Sequence, residues 1–493
     1  MASENQLLHF VLLPHLSQGH LIPMVDIGRL LASHGVTVTI ITTPLNAAKF
    51  NSSIDRAIES GLRIRLLQVK FPYVEAGLPE GSESMDSIPS RDFMKKLHNG
   101  ICMMQQPIEQ LFKEFSLPAS CIISDKYLAW TADISRKFNI PRIVFDGTSC
   151  FSLLCTHNII VSKVHETVPE SEPFVVPGLP DFIELTSSQL PGVVTMGSSD
   201  LKGIRDEVRV AELAAYGVVV NTFEELEPAY VKEYRKVRGE KIWCIGPVSL
   251  CNKDNSDKAE RGNKASIDEK QCLKWLDAQE PCSVIYACLG SLSHLSFLQL
   301  VELGLGLEAS EKPFIWVIKR GNDTEEFGRW ILEDGFEERI KGRGLLIRGW
   351  APQVLILSHP AIAGFLTHCG WNSTLEGVSA GLPMITWPMF SEQFYNEKLV
   401  AQVLRIGVRI GAEVGLKWGE DEKFGVLIKG EEVKKAIDQL MDEGKEGQER
   451  RRRARELGVM ANLAIEEGSS SYLNMIMLIQ EIRQEVMGNQ SKA

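Results

Sequence analysis

The stretch FLTHCGWNSTLEG, residues 365–377, sets a histidine, a tryptophan and several small polar side chains on one turn between an apolar run and a helical pattern. A plain turn needs a glycine and a cap; the surplus here is chemistry. If 363–368 is a strand, Gly370 makes the tight turn and Asn372 or Ser373 caps the helix that follows. Unpaired N–H groups at that helix start would face a pyrophosphate, with the macrodipole favouring its charge. His368, Asn372 and Ser373 add side-chain donors, and Glu376, one turn on, offers a carboxylate to ribose hydroxyls.

Two further strand ends carry complementary groups. Upstream, RGWAPQ places Trp350 where its flat face can stack on a base. Downstream, MFSEQF puts Glu392 beside Gln393, a carboxylate and an amide that together accept and donate hydrogen bonds to a polyol. Base, ribose, phosphates and sugar find candidate partners at three consecutive strand ends, the layout of a nucleotide-sugar.

The elements that must position these groups alternate along the chain. HFVLLPH (9–15), VTVTIITTP (36–44), LRIRLLQVK (62–70), CIISD (121–125), PRIVFDG (141–147), GVVVNT (217–222) and KIWCIGP (241–247) have the pattern of buried strands. LIPMVDIGRLLASHG (21–35) is an amphipathic helix closed by Gly35. After a polar, charged stretch without apolar period, the alternation restarts: SVIYACLGS (283–291), PFIWVIK (313–319), GLLIRGW (344–350), AGFLTHCG (363–370) and LPMITWP (382–388). Strands alternating with helices imply parallel pairing, so the expected class is α/β, two Rossmann-like doubly wound parallel-sheet domains facing across a cleft. Ligands in such sheets bind beyond the carboxyl ends of the strands. The expected division is 1–248, a linker at 249–266 that proteases should nick first, and a second domain at 267–470.

Composition narrows the partners. The chain has 493 residues, 44% hydrophobic and 24% charged, with net charge −11. An acidic balance disfavours a nucleic-acid or anionic-membrane surface. The ten cysteines form no C-x-x-C pair, the N-terminus lacks a basic region with a cleavage site, and no apolar stretch is long enough to span a bilayer. A cytoplasmic protein with free thiols is the expectation, and N-x-S/T triplets such as those at Asn51, Asn322 and Asn372 are then chance matches. GLGLEA (304–309) matches a dinucleotide fingerprint but sits inside a helical pattern, where small residues serve packing. Arg450–Arg453 and Arg455 are interleaved with Glu446, Glu449 and Glu456 and read as a solvated helix face. No D-x-D pair occurs, so a metal is not expected.

The segment from Trp350 to Gln393, WAPQVLILSHPAIAGFLTHCGWNSTLEGVSAGLPMITWPMFSEQ, resembles the signature box of plant secondary-product UDP-glycosyltransferases at essentially every motif position. The resemblance extends over nearly the whole chain. It implies a GT-B fold, with a UDP-sugar in the C-terminal domain, a small lipophilic acceptor in the N-terminal domain, and a final helix, about 471–487, packed back on the N-terminal domain. By this resemblance Trp350 stacks on uracil and the backbone of Ala351 and Gln353 faces the base. Glu376 binds ribose; His368, Asn372 and Ser373 meet the phosphates, joined by Ser291 of LGS; Trp371, Glu392 and Gln393 hold the hexose. The family's base, a histidine in the loop after the first strand, corresponds to His20 of SQGHLIP. Its supporting acid corresponds to Asp125 of IISD, which would orient the imidazole and stabilise the imidazolium.

Two departures stand out. Lys126 follows Asp125 where relatives mostly carry hydrophobic or aromatic residues, and Leu289 stands where an aromatic is common. The acceptor pocket is expected from loops 71–90, 145–160 and 185–200. The activity expected is inverting, metal-independent transfer of glucose from UDP-glucose to a hydroxyl of a triterpenoid, steroid or flavonoid, by a monomer that is not an integral membrane protein, has no nucleic-acid partner and needs no cofactor. Gln393 favours glucose, since relatives with His there favour galactose; Trp371, where some glucuronosyl-transferring relatives have Arg, disfavours glucuronate. The rivals are a UDP-sugar epimerase or hydrolase of the same fold and a non-catalytic UDP-sugar or terpenoid carrier. UDP release that requires an acceptor separates the three.

Overall fold

A computed structural model describes residues 7–194, 199–322, 324–416 and 425–490. Residues 195–198 of the expected acceptor stretch 185–200 lie outside the described residues, as do the first six.

The first sheet contains β1 (His9–Leu13), β2 (Thr37–Thr42), β3 (Ile64–Gln68), β4 (Cys121–Asp125) and β5 (Arg142–Asp146). A short antiparallel pair, β6 (Phe174–Val175) and β7 (Glu184–Leu185), stands apart before β8 (Gly217–Val220) and β9 (Ile242–Cys244) complete that sheet. Its seven strands run in the order β3-β2-β1-β4-β5-β8-β9, all pairs parallel. The second sheet has six strands: β10 (Val284–Cys288), β11 (Phe314–Ile318), β12 (Gly344–Arg348), β13 (Ile362–Thr367), β14 (Met384–Thr386) and β15 (Gly407–Arg409). Their order is β12-β11-β10-β13-β14-β15, again all parallel.

Successive strand residues face opposite cores, as the two-residue period demands. Phe10 and Leu12 join one core while Val11 and Leu13 join another on the opposite face of the sheet. Tyr286 and Ile285 divide in the same way in the second sheet. With both faces covered, the central strands carry few solvent-facing positions, which is why they read as continuous apolar runs.

In each sheet the strand order reverses once, between β1 and β4 and between β10 and β13. The connections leaving these strands diverge and open a crevice at their carboxyl ends. The loop to His20 and residue Asp125 lie at the first crevice; the loop after Cys288 and the turn at His368 lie at the second.

Three expectations change in detail. The helix expected at 21–35 spans Gln18–Ser33 and starts after Ser17, so it carries Pro23 in its interior. The stretch 249–266 is docked and structured: it contains the helix Asn255–Ala259, and Asp257 is paired with Arg29 and Arg56 of the N-terminal helices. Asp257, Glu260 and Arg261 are engaged in ion pairs with the flanking elements, while Lys253 and Asp254 stay exposed. In the arginine run, Arg452 and Arg453 pair with Glu449 at the surface, but Arg450 is buried and donates to Gln439 O at 2.9 Å.

GLGLEA lies within the helix Phe297–Ala309, where Gly306 packs directly against Val433. The helix Ser470–Gln490 lies on the first sheet: Met475, Leu478, Ile479 and Ile482 join its core, and Ser471 Oγ donates to Gly246 O at 2.5 Å. Among the described residues, no helix is long and apolar enough to cross a membrane.

Candidate active site

His20 is the third residue of the helix Gln18–Ser33, in its first turn and not in the preceding loop. Asp125 is the last residue of β4, which pairs with β1. The sheet thus delivers the two side chains to one crevice, and His20 Nδ1 meets Asp125 Oδ2 at 2.5 Å. The other Asp125 oxygen accepts from the Tyr127 N–H at 3.0 Å, and the carboxylate is fully buried. With Nδ1–H donating to Asp125, the lone pair of the neutral ring is on Nε2. The imidazole keeps 25% of its side chain exposed.

Burial works against a charged His20, but the Asp125 carboxylate outweighs it and raises the imidazole above its ordinary value. Asp125 is shifted reciprocally: burial pushes it up, and His20 holds it below the usual carboxylate range. The rings of His15 and Tyr127 stand edge-on to His20 at 5.5 and 5.7 Å. Burial lowers His15 to about 4, so it is neutral. Lys126 does not present a bare charge to the cleft, because its Nζ donates to Asp146 Oδ2 at 2.7 Å.

Across the cleft, the helix Trp371–Ser379 starts directly from Gly370, its N-cap, without a side-chain cap. Asn372 and Ser373 therefore do not cap it: they lie inside its first turn, Asn372 Nδ2 donating to Gly19 O and Ser373 Oγ accepting from Gln353 Nε2. The N–H groups of Trp371, Asn372 and Ser373 have no intrahelical acceptor and are open to an anion.

His368 at the end of β13 is clamped between two glycines. A Cβ on Gly290, whose φ is +81°, would lie 2.5 Å from the ring, and one on Gly370 would lie 2.4 Å from Nε2. Its Nδ1 is buried with no partner among the described residues, and burial lowers the ring to about 4. His368 is thus a neutral donor and not a cation. Ser291 is half-buried on the loop directly after Gly290.

Trp350 is half-buried, packed against the core of the N-terminal half. Ala351 O accepts from the Gln353 N–H at 2.9 Å, and Gln353 Nε2 donates to Ser373 Oγ at 3.0 Å and Glu376 Oε2 at 2.7 Å. The indole of Trp371 is buried and its Nε1–H donates to Asn221 O at 2.7 Å, so it serves the domain interface. What Trp371 leaves toward the cleft is its backbone N–H. Gln393 Oε1 accepts from the N–H groups of Met389 at 2.8 Å and Phe390 at 3.1 Å, which leaves Nε2 to donate. Glu392, half-buried, accepts from Ser391 Oγ at 2.5 Å.

The two crevices face one another through specific bonds. Asn372 Nδ2 donates to Gly19 O at 2.7 Å, one residue from His20. Ser152 Oγ donates to Asn396 Oδ1 at 2.9 Å, and Asn396 Nδ2 to Cys369 O at 2.8 Å. Inspection of the sequence missed the Gly19 acceptor, although Pro23 signals it: proline has no N–H to give the carbonyl four residues earlier. It also missed Arg261, Asp26 and Gln18, which meet near Glu376 and Trp350.

Residues 268–420 match the family model for UDP-glucoronosyl and UDP-glucosyl transferase, and residues 7–250 match that for the glycosyltransferase N-terminal domain. UDP-glycosyltransferase 73C3 of Arabidopsis thaliana is 55% identical over 97% of this chain and 96% of its own length. UDP-glycosyltransferase 73C25 of Barbarea vulgaris is 55% identical over 98% of each chain. The crystal structure of Glycyrrhiza uralensis UGT73P12 with glycyrrhetinic acid 3-O-monoglucuronide superimposes with TM-score 0.91 at 39% identity, covering 99% of this chain and 98% of that one. Phytolacca americana UGT2, complexed with UDP-2fluoro-glucose and pterostilbene, gives TM-score 0.74 at 27% identity over 97% of this chain and all of its own. Matched along nearly its whole length by these proteins and sharing their two-domain GT-B architecture, the chain belongs to the plant UDP-glycosyltransferases, enzymes that glycosylate small molecules.

Proposed function

We propose that the protein is an inverting, metal-independent O-glucosyltransferase that uses UDP-glucose and acts on a hydroxyl of a lipophilic plant natural product, a triterpenoid, steroid or flavonoid. The observation that carries the reading is the short path from base to donor helix: His20 is bonded to Asp125, and the residue before it accepts from Asn372 in the first turn of the helix Trp371–Ser379.

In this reading the His20 Nε2 lone pair takes the proton of the acceptor hydroxyl as its oxygen attacks the anomeric carbon. The bond to UDP breaks on the opposite face, so the configuration inverts. Asp125 stabilises the imidazolium that forms, and the open helix-end N–H groups with the neutral donor His368 meet the charge developing on UDP. Trp350 carries the uracil against the backbone of Ala351 and Gln353, and Glu376 takes the ribose. Ser291, Asn372 and Ser373 contact the phosphates, while the Trp371 N–H, Glu392 and Gln393 Nε2 face the hexose. The buried pairing of Lys126 with Asp146 supports an uncharged acceptor, since no unpaired cation is contributed there.

A panel of triterpenoids, steroids and flavonoids incubated with UDP-glucose and followed by mass spectrometry tests the reading. Acceptor-dependent gain of one hexose with release of UDP is the expected result. UDP release without acceptor would identify a hydrolase, UDP-sugar interconversion an epimerase, and binding without turnover a carrier.

A further inference from the structure

Glu376 is held by one partner to each carboxylate oxygen. Gln353 Nε2 donates to Oε2 at 2.7 Å, and Arg261 Nη1 donates to Oε1. Arg261 belongs to the segment connecting the two sheets, and its Nε donates to Asp26 Oδ2 at 2.8 Å. The three charged side chains are almost wholly enclosed, with exposures of 9% for Arg261, 3% for Asp26 and 5% for Glu376. Asp26 lies on the helix that carries His20, and Glu376 on the helix Trp371–Ser379, whose first turn is assigned the phosphates above. One guanidinium therefore ties a carboxylate of each half together, and removing it would leave both buried without that ion-pair partner, Asp26 keeping only Asn252 Nδ2 and Cys251 Sγ and Glu376 only Gln353 Nε2 as hydrogen-bond donors.

The same segment shapes the base subsite. A Cβ on Gly262 would lie 2.8 Å from Trp350 Cζ2 and 3.4 Å from Gln18 Oε1. Gln18 is itself 3% exposed, with neither amide oxygen nor nitrogen bonded among the described residues. A buried amide with both ends free is costly unless a ligand completes it. Gln18, Ile22 and Asp26 are spaced at helical intervals of four, so one face of the helix lies under Gly262 and Arg261.

We propose that Arg261 is a positioning residue of the donor site: anchored on Asp26, it holds the Glu376 carboxylate so that its remaining lone pairs accept the two hydroxyls of the donor ribose. A carboxylate accepts about four hydrogen bonds. Arg261 and Gln353 use one on each oxygen, leaving one on each for a vicinal diol. The inference rests on the ribose role given above to Glu376. It makes recognition of a ribonucleotide depend on a side chain outside both sheets, contributed by the connecting segment.

The test compares UDP with 2′-deoxy-UDP by titration calorimetry on the full-length protein. The unaltered protein should prefer UDP by about tenfold or more, the scale of one charge-assisted hydrogen bond. Glu376→Gln should bring the two ligands close to parity. Arg261→Met should reduce the preference to about threefold or less and raise the KM for UDP-glucose more than it lowers kcat. In the double variant the loss of preference should not add, because both changes act on one carboxylate. If Glu376→Gln lowers the preference but Arg261→Met leaves it intact, or binds UDP more tightly, the positioning role is overturned and the arginine is an obstacle or a structural tie. If Glu376→Gln itself keeps the preference, the ribose role fails, and the inference with it. Should Arg261→Met not fold, Asp26→Asn weakens the anchor, with an amide oxygen still able to accept from Asn252 Nδ2, and must lower the preference in the same direction.

Discussion

The side-chain amide of Asn372 donates to the carbonyl of Gly19 at 2.7 Å across the cleft, and that carbonyl is free because Pro23, four residues on in the helix, has no N–H to offer it. A defect in one helix is thus completed by a residue in the first turn of another, and His20 stands next to the joint. Pro23→Ala supplies an internal donor that competes for the Gly19 carbonyl. It touches no substrate, so kcat/KM is expected to fall about threefold to tenfold while the melting temperature holds or rises. Thermal melts beside steady-state kinetics decide it; unchanged kinetics would mean the joint is incidental.

His20→Ala should cut turnover by about a hundredfold or more, the usual scale for a positioned general base. UDP affinity should stay close to native, since His20 is not among the residues proposed to contact the nucleotide. Asp125→Asn should cost less. Single-turnover kinetics with calorimetric UDP binding separate these effects, and joint loss of UDP affinity in His20→Ala would mark a structural histidine.

The Asp125 carboxylate raises His20 above its ordinary value, and only the neutral ring can take a proton. The acidic limb of kcat/KM should therefore rise through a midpoint above 6.5. Asp125→Asn removes the largest stabilising charge, leaves burial opposed only by the charge of Asp146, and should move that midpoint to lower pH. His368, lowered to about 4, stays neutral through the range and should add no second limb near neutrality. A pH–rate profile of both proteins checks the direction; an upward shift in Asp125→Asn would contradict the assignment.

UDP-glucose should be turned over faster than UDP-galactose or UDP-glucuronate. Gln393 fastens the turn at Met389 and Phe390 through Oε1, so Gln393→Leu leaves two N–H groups without their acceptor. The expected outcome is a raised donor KM together with about 1–3 kcal/mol of lost stability. Faster transfer from UDP-glucuronate by the native protein would overturn the donor assignment.

Gly370→Ala drives a methyl group into the His368 ring, where a Cβ would approach Nε2 to 2.4 Å. The ring must move, and UDP affinity should fall about tenfold or more with the global fold retained by circular dichroism. Native affinity would show that the clamped ring is not part of the donor site.

Most of the architecture was legible because it is local. Apolar runs such as CIISD and SVIYACLGS, separated by helical periods, specify buried parallel strands, since a strand covered on both faces has no room for alternation. The box from Trp350 to Gln393 was likewise visible as residue types at strand ends, whereas His20 and Asp125 were singled out by the family resemblance. The tertiary structure decided how those residues are engaged. It turned Trp371 into an interface residue, moved the cap to Gly370 and neutralised Lys126 with Asp146. It also joined Arg261 to Glu376, 115 positions away, and Asn372 to Gly19, 353 positions away. Such partners leave no periodic trace: a charged run has the same pattern whether its side chains face water or each other, and only the docking of the two sheets brings the opposite charges within reach.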